Sequence, residues 1–284
     1  MIRIAAKPVL ELRRKTLAEK TARLKATSGK APHLSVILVG EDPASRIYVQ
    51  KKGETAEKMG FTHETLVFPD SVSPESVRKC VEELNRNPEV DGILIQRPLP
   101  KGWDERDTVF WISPQKDVDC LHPENLGLLV SGNPRFMPCT PAGILLLLDH
   151  YGLPVDQKTV CVIGRSPIVG KPLAALLLNR NASIIQIHRS TPDPKSLSKL
   201  ADFVFVAAGA PALVDKDWVK PGAVVVDVGI HRNEAGKVSG DVDAASVATV
   251  ASALTPVPGG VGPMTIQVLL ENTFESYARR VSMT

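Results

Sequence analysis

Lys52 and Tyr48 stand four residues apart in the segment Pro43–Met59. If that segment is helical, both project from one face, an amine beside a phenol ring. A lysine held there is a candidate general acid/base. Its ordinary pKa of about 10.4 makes it a poor base at neutral pH, and desolvation or a neighbouring cation would lower it. The competing reading is a solvated lysine on a charged helix, and Lys51, which faces elsewhere, is read that way. Gln96 closes the apolar run Gly92–Ile95. Open α/β sheets place their ligands at such strand ends, and an amide can fix an amine's position without adding charge. It could equally cap loop backbone. Asp117 and Asp119, in Lys116-Asp117-Val118-Asp119, are either binding carboxylates or turn aspartates bonding nearby N–H groups.

A second cluster follows the apolar run Thr159–Ile163. It reads Gly164-Arg165-Ser166-Pro167-Ile168-Val169-Gly170-Lys171-Pro172. A glycine at a strand end permits a tight turn, and the next helix offers N–H groups to a pyrophosphate. Ser166 holds the place of the middle glycine of G-x-G-x-x-G, so the spacing also admits an ordinary strand-to-helix turn. Gly170-Lys171 does not make a phosphate loop. Five residues separate the glycines where four are needed, and Pro172 follows the lysine instead of Ser or Thr. At the end of the next strand, Ser183–Ile187, His188-Arg189-Ser190-Thr191 replaces the acidic residue that binds a ribose 2′-OH. A cation and hydroxyls favour a 2′-phosphate, hence NADP. Arg165 is placed to reach the same phosphate.

The elements that must position these residues alternate. Strands are predicted at Leu34–Val39, Thr65–Phe68 and Gly92–Gln96, with helices at Leu10–Leu24, Pro43–Met59 and Pro74–Asn85. Lys101–Arg135 reads as an irregular interdomain region. A helix over Pro141–Tyr151 leads to a second run, with strands at Thr159–Ile163, Ser183–Ile187, Phe203–Ala207 and Ala223–Asp227 and a helix at Val169–Leu178. Thr255–Thr265 reads as loop, and Ile266–Arg279 as a closing helix. Strands alternating with helices mean parallel sheets covered by helices. The prediction is an α/β protein of two domains. Residues 1–139, completed by helix 266–284, form one, and the Rossmann-like residues 140–265 form the other.

Composition excludes several other classes. The 34 basic and 31 acidic residues give a net charge of +3 with no like-charged block, against a nucleic-acid partner. No apolar stretch, Ile144–Leu148 included, is long enough to span a membrane, and the N-terminus lacks a secretory pattern, so a cytoplasmic location is expected. Cys80, Cys120, Cys139 and Cys161 are widely spaced, suggesting neither a disulfide framework nor a metal site.

Tyr48-Val-Gln-Lys-Lys52, Gly92-Ile-Leu-Ile-Gln96-Arg-Pro-Leu-Pro100, Lys116-Asp-Val-Asp119, Pro138-Cys-Thr-Pro141, Val228-Gly229-Ile230, Gly240-Asp241-Val242 and Pro256-Val-Pro-Gly-Gly-Val-Gly-Pro-Met-Thr265 occur in that order over nearly the whole chain. Together they resemble the bifunctional methylenetetrahydrofolate dehydrogenase/cyclohydrolase family. The resemblance implies that Lys52 is the catalytic lysine, Tyr48 stacks on the folate, Gln96 bonds the lysine and Asp119 binds the pterin. It places Gly164, Arg165, Ser166, Arg189 and Ile230 at the NADP site, where Ser190 joins them as the hydroxyl beside Arg189, and Pro258, Gly259 and Gly260 at the substrate. It also implies tetrahydrofolate substrates and a homodimer.

Three residues depart from the pattern. Glu54 replaces a second basic residue, Arg97 an apolar one and Cys120 a common glycine. Glu54 is placed to pair with Lys51 or Lys52, and Arg97 to reshape the loop at the folate's glutamate tail. The resemblance implies oxidation of 5,10-methylenetetrahydrofolate by NADP⁺, then hydrolysis of the methenyl product to 10-formyltetrahydrofolate. Alternatives are a dehydrogenase without the hydrolytic step, a shikimate-like dehydrogenase, and a non-catalytic NADP sensor.

Overall fold

Each of the two buried runs of branched aliphatic residues becomes the centre of a parallel sheet in the computed structural model, which describes residues 1–232, 236 and 238–282. In chain order the elements begin with β1 (Ile2–Arg3), α1 (Ala6–Ser28), β2 (His33–Val39), α2 (Pro43–Lys58), β3 (Thr62–Phe68), α3 (Pro74–Arg86) and β4 (Gly92–Ile95). Next come α4 (Glu105–Thr108), α5 (Pro123–Val130), α6 (Cys139–His150), β5 (Thr159–Ile163), α7 (Gly170–Leu178), β6 (Ser183–Ile187) and α8 (Pro194–Ser198). The chain ends with β7 (Phe203–Val206), β8 (Val224–Asp227), β9 (His231–Arg232), β10 (Val238–Ser239), α9 (Ala244–Val247), β11 (Ala253–Leu254) and α10 (Val261–Ser282). Among the described residues no helix is long and apolar enough to cross a membrane.

The first compact unit comprises Leu12–Leu128, Pro134–Met137 and Leu269–Thr284. Its sheet has the order β3-β2-β4, all parallel. The chain leaves β2 for β3 on one side and returns to β4 on the other. The carboxyl ends of β2 and β4 therefore flank a topological switch point, where open α/β sheets bind ligands. β2 is buried along nearly its whole length, which is why it reads as a continuous Leu-Ser-Val-Ile-Leu-Val run. Ile37, Val39, Ile93 and Ile95 pack with Val77, Val81 and Leu84 of α3. The C-terminal part of α10 joins this unit through Asn272, whose Nδ2 donates to the carbonyls of Val118 (2.8 Å) and Met137 (2.7 Å).

The second unit comprises Met1–Glu11, Leu129–Asn133 and Pro138–Val268. Its six-stranded sheet has the order β1-β11-β8-β7-β5-β6. A second switch point lies between β5 and β7, whose ends deliver Gly164 and Ala207. The first eleven residues group here because β1 pairs in parallel with β11, Ile2 opposite Ala253 and Arg3 opposite Leu254.

Two expectations are corrected. The irregular stretch Lys101–Arg135 contains α4 and α5. The closing helix starts at Val261 rather than Ile266, because Gly262 and Pro263 fall in its first turn, where proline lacks no needed donor.

Candidate active site

α2 starts where Asp42 accepts from the Ser45 amide (2.7 Å) and Pro43 supplies the first helical position. Bonds from Ser45 hold the Asp42 carboxyl below its ordinary pKa. The buried face of α2 carries Ser45, Val49, Lys52 and Ala56. That spacing is one helical stripe, so the pattern itself turns Lys52 inward. Lys52 is 5% exposed, while Lys51 is exposed. The Lys52 Nζ donates to Gln96 Oε1 at 2.8 Å and sits 4.8 Å from the centroid of the half-buried Tyr48 ring. A buried ammonium is costly unless it is hydrogen-bonded, and here an amide oxygen and a π face receive it. The solvated-lysine reading holds for Lys51 and fails for Lys52.

Gln96 is fixed by its own backbone and amide. Its N–H donates to Ile37 O (2.8 Å), and its Nε2 donates to Arg97 O (2.6 Å). Committing the amide nitrogen leaves Oε1 as the acceptor facing Lys52. The Arg97 guanidinium bonds the Glu105 carboxylate (2.5 Å) and the Glu105 carbonyl (3.0 Å). Glu105 also accepts from the Leu99 amide at 3.3 Å. Arg97 thus closes its own loop onto α4. Glu54 accepts from Gln50 Nε2 at 2.8 Å rather than pairing with either lysine, since it lies on the exposed face of α2.

The two aspartates of the Lys-Asp-Val-Asp run separate by role. Asp117 is buried and accepts from the amides of Leu121 (3.1 Å) and His122 (2.8 Å) and from Asn125 Nδ2 (2.8 Å). Burial pushes its carboxyl above the ordinary value, against the pull of those bonds. Asp117 is therefore the turn-bonding aspartate. Asp119 is half-buried and, with Arg97, Thr108 and Leu121, lines a recess of about 20 Å³. Cys120 takes φ +61°, the left-handed region that glycine enters freely, and its thiol donates to Phe136 O at 3.3 Å. Burial raises the thiol's pKa far above its ordinary value.

In the second unit two glycines meet a steric demand. A Cβ on Gly164 would stand 2.2 Å from Ala207 O, and one on Gly170 would stand 2.4 Å from Gly164 O. The bare backbone lets β5, β7 and α7 converge at the switch point. Ser166 does something unforeseen. Its Oγ accepts from the amides of Val169 (3.1 Å) and Gly170 (3.3 Å), so it caps the donors that the spacing had offered to a pyrophosphate.

A cavity of about 660 Å³ opens there, lined by residues that include Gly164, Arg165, Ser166, Arg189, Ala207 and Ala208. Among the described residues, neither Arg165 nor Arg189 is ion-paired with a carboxylate, and both are exposed. The His188–Thr191 turn holds itself, with Thr191 Oγ1 accepting from His188 N at 2.9 Å. Ser190 is exposed beside Arg189, and Ile230 is 58% exposed. Pro258, Gly259 and Gly260 lie in the segment before α10 and belong to this unit, whereas Lys52 belongs to the first. Pro258 and Gly259 are exposed. Gly260 is buried, and a Cβ there would stand 2.6 Å from Pro256 O.

Sequence reasoning passed over Asp227 and His231, and it met Asp241 only within the Gly240-Asp241-Val242 motif, with no role given to it. Asp227 accepts from the amides of Gly229 (3.0 Å), Asp241 (2.9 Å) and Val242 (3.1 Å). Asp241 accepts from Ala208 N (2.7 Å) and Gly209 N (2.9 Å), and its other oxygen lies 2.6 Å from His231 Nε2. Burial raises the Asp227 carboxyl to about 6, against the lowering effect of its three backbone bonds. A glycine near each aspartate, Gly229 after Asp227 and Gly240 before Asp241, was the available signal. A Cβ on Gly240 would overlap the Asp227 carboxylate, and one on Gly229 would stand 2.4 Å from Asp241 Oδ1.

Comparison with known proteins accounts for both units. Residues 4–119 match the family model described as tetrahydrofolate dehydrogenase/cyclohydrolase, catalytic domain, and residues 138–281 match its NAD(P)-binding domain. The bifunctional protein FolD of Bacillus cytotoxicus is 48% identical over 276 residues, 97% of this chain and 96% of that one. The structure of the Campylobacter jejuni bifunctional FolD methylenetetrahydrofolate dehydrogenase/cyclohydrolase superposes with a TM-score of 0.95 at 40% identity, covering 99% of each chain. The Trypanosoma brucei methylenetetrahydrofolate dehydrogenase-cyclohydrolase, solved with NADP and an inhibitor, gives a TM-score of 0.94 at 36% identity over 98% of each chain.

Proposed function

We propose that this chain, which belongs to the tetrahydrofolate dehydrogenase/cyclohydrolase family, oxidises 5,10-methylenetetrahydrofolate with NADP⁺ and then hydrolyses the methenyl product to 10-formyltetrahydrofolate. The observation that carries this reading is the buried Lys52, its Nζ held 2.8 Å from Gln96 Oε1 and stacked over Tyr48. A nucleotide sensor has no use for such an amine. Relatives that carry both activities over nearly the full chain support the bifunctional reading over a dehydrogenase alone.

The first unit binds the folate. Tyr48 offers a ring face to the substrate, Asp119 a carboxylate to the pterin, and Gln96 holds the lysine. The second unit binds the dinucleotide. Its glycine cradle admits a backbone-close ligand, and the exposed Arg165 and Arg189 suit a 2′-phosphate, with Ser190 beside them. Ser166 shapes the helix start, and Ile230 offers exposed apolar surface. Pro258, Gly259 and Gly260 contribute to the substrate. NADP⁺, when bound, supplies the hydride acceptor.

The chain's own residues orient the substrate for that transfer and keep water away until the methenyl cation has formed. Water then adds to the methenyl carbon, a carbon–nitrogen bond of the imidazoline ring opens, and one net proton is released. Lys52, as the neutral amine, is the group placed to take the proton from the attacking water; the ammonium so formed, held by Gln96 and Tyr48, returns one to the departing nitrogen. The protein works as a cytoplasmic homodimer. The test is spectrophotometric: methylenetetrahydrofolate with NADP⁺ yields the methenyl absorbance, which then decays faster than without enzyme. Absorbance that rises and decays only at the uncatalysed rate refutes the hydrolytic half.

A further inference from the structure

We infer that Asp241 is a positioning residue for the dinucleotide cavity, holding the wall that follows β7 to the segment that follows β8. The inference rests on the NADP reading of that cavity. Asp241 is fully buried, and in sequence it lies outside both the Gly164–Gly170 turn and the His188–Thr191 turn.

Three connections support it. Asp241 Oδ2 accepts from both Ala208 N (2.7 Å) and Gly209 N (2.9 Å), the first amides after β7 that have no strand to bond. Ala207, Ala208 and Ala210 line the 660 Å³ cavity, so the carboxylate fixes one wall from behind. Oδ1 meets His231 Nε2 at 2.6 Å, tying the same carboxylate to the segment that carries Ile230. The carboxylate is itself fixed, because Asp227 Oδ1 accepts from the Asp241 amide at 2.9 Å.

The alignment matters because the wall has no slack. Gly164 approaches Ala207 so closely that a Cβ would stand 2.2 Å from its carbonyl oxygen. A shift in the loop after β7 therefore moves the floor of the glycine turn. Gly229 and Gly240 lack side chains where the two carboxylates fill the space. An acid that served only to stabilise a turn would need one or two local amides. Asp241 instead bonds a loop thirty-two and thirty-three residues away in sequence, on the neighbouring strand.

The test uses the full-length protein and NADP⁺ itself. Asp241→Ala leaves the Ala208 and Gly209 amides without their acceptor. Asp241→Asn keeps the shape but can satisfy either the loop amides or a His231 donor, not both. We expect calorimetric NADP⁺ affinity to fall about tenfold or more in Asp241→Ala and about threefold to tenfold in Asp241→Asn. The KM for NADP⁺ should rise in the same order, with kcat at saturating cofactor falling less than threefold. NADP⁺ affinity within twofold of wild type in both variants overturns the inference. So does an Asp241→Asn protein without a cooperative melt, because the residue then holds the fold rather than the wall. Wild-type protein that fails to bind NADP⁺ refutes the cofactor reading instead.

Discussion

Replacing Lys52 by Met removes one titratable amine and little else. The methionine keeps most of the stem that packs on the buried face of α2, and it fits a slot only 5% exposed. The lost hydrogen bond leaves Gln96 Oε1 without its lysine donor. Gln96 is half-buried, so water can replace that donor, and the stability change should stay within about 1 kcal/mol in either direction. The chemical cost is of another size. A positioned acid/base contributes on the order of a hundredfold to ten-thousandfold to rate, or roughly 3 to 5 kcal/mol of barrier. The two effects thus separate in magnitude, and a melting curve distinguishes them.

The assay follows decay of methenyltetrahydrofolate absorbance, with the buffer rate subtracted. Lys52→Met should hydrolyse at least about a hundredfold more slowly than wild type while calorimetry still finds NADP⁺ bound. Lys51→Met is the control, because Lys51 is exposed and points about 100° away on the same helix. Hydrolysis within threefold of wild type in Lys52→Met refutes the reasoning. Equal losses in the two variants refute it as well, since they would show that helix charge matters and the buried amine does not.

Other perturbations give further outcomes. Arg189→Ala should weaken NADP⁺ more than NAD⁺, measured by calorimetry with each; equal weakening would remove Arg189 from the 2′-phosphate. Asp119→Ala should raise the folate KM and lower turnover with little change in melting temperature, and a large stability loss with normal kinetics would make it a second structural aspartate like Asp117. Asp227 has a carboxyl raised to about 6, so the native state holds its proton where the unfolded chain has released it. Its contribution to stability is present below the ordinary carboxylate pKa and is lost as pH rises through about 6. Urea titrations should therefore find Asp227→Asn gaining on wild type between pH 4 and 7, and a constant difference across that range would contradict the shift.

Much of this architecture is legible in the chain because its signals are local. β2, β5 and β8 are continuous apolar runs buried in parallel sheets, and such runs identify themselves. Lys52 was legible through the family motif that carries it. Its i, i+4 spacing from Tyr48 gave a shared face but left a solvated lysine equally open, and the stripe of Ser45, Val49 and Ala56 that turns the face inward emerges in the fold. β1 and β11 could not be read, since two residues carry no period and their pairing spans some 250 positions. α5 was missed despite Pro123 and Glu124 at its start, because the surrounding prolines and glycines outweighed one good helix beginning.

The buried acidic pair marks where reading by composition stops. Asp227 and Asp241 look like ordinary turn residues, each near a glycine, fourteen positions apart. Their meaning lies in what each bonds: Asp227 the amides of 229, 241 and 242, Asp241 those of 208 and 209. A sequence shows which residues can accept hydrogen bonds, and the fold decides which orphaned amides come within reach. The parallel order β8-β7-β5 leaves the amides after β7 unpaired at its carboxyl end, beside the dinucleotide turn. Some acceptor must meet them there, and a carboxylate from the strand side can serve two at once. The same topology that creates the cavity therefore creates the need for Asp241 behind its wall.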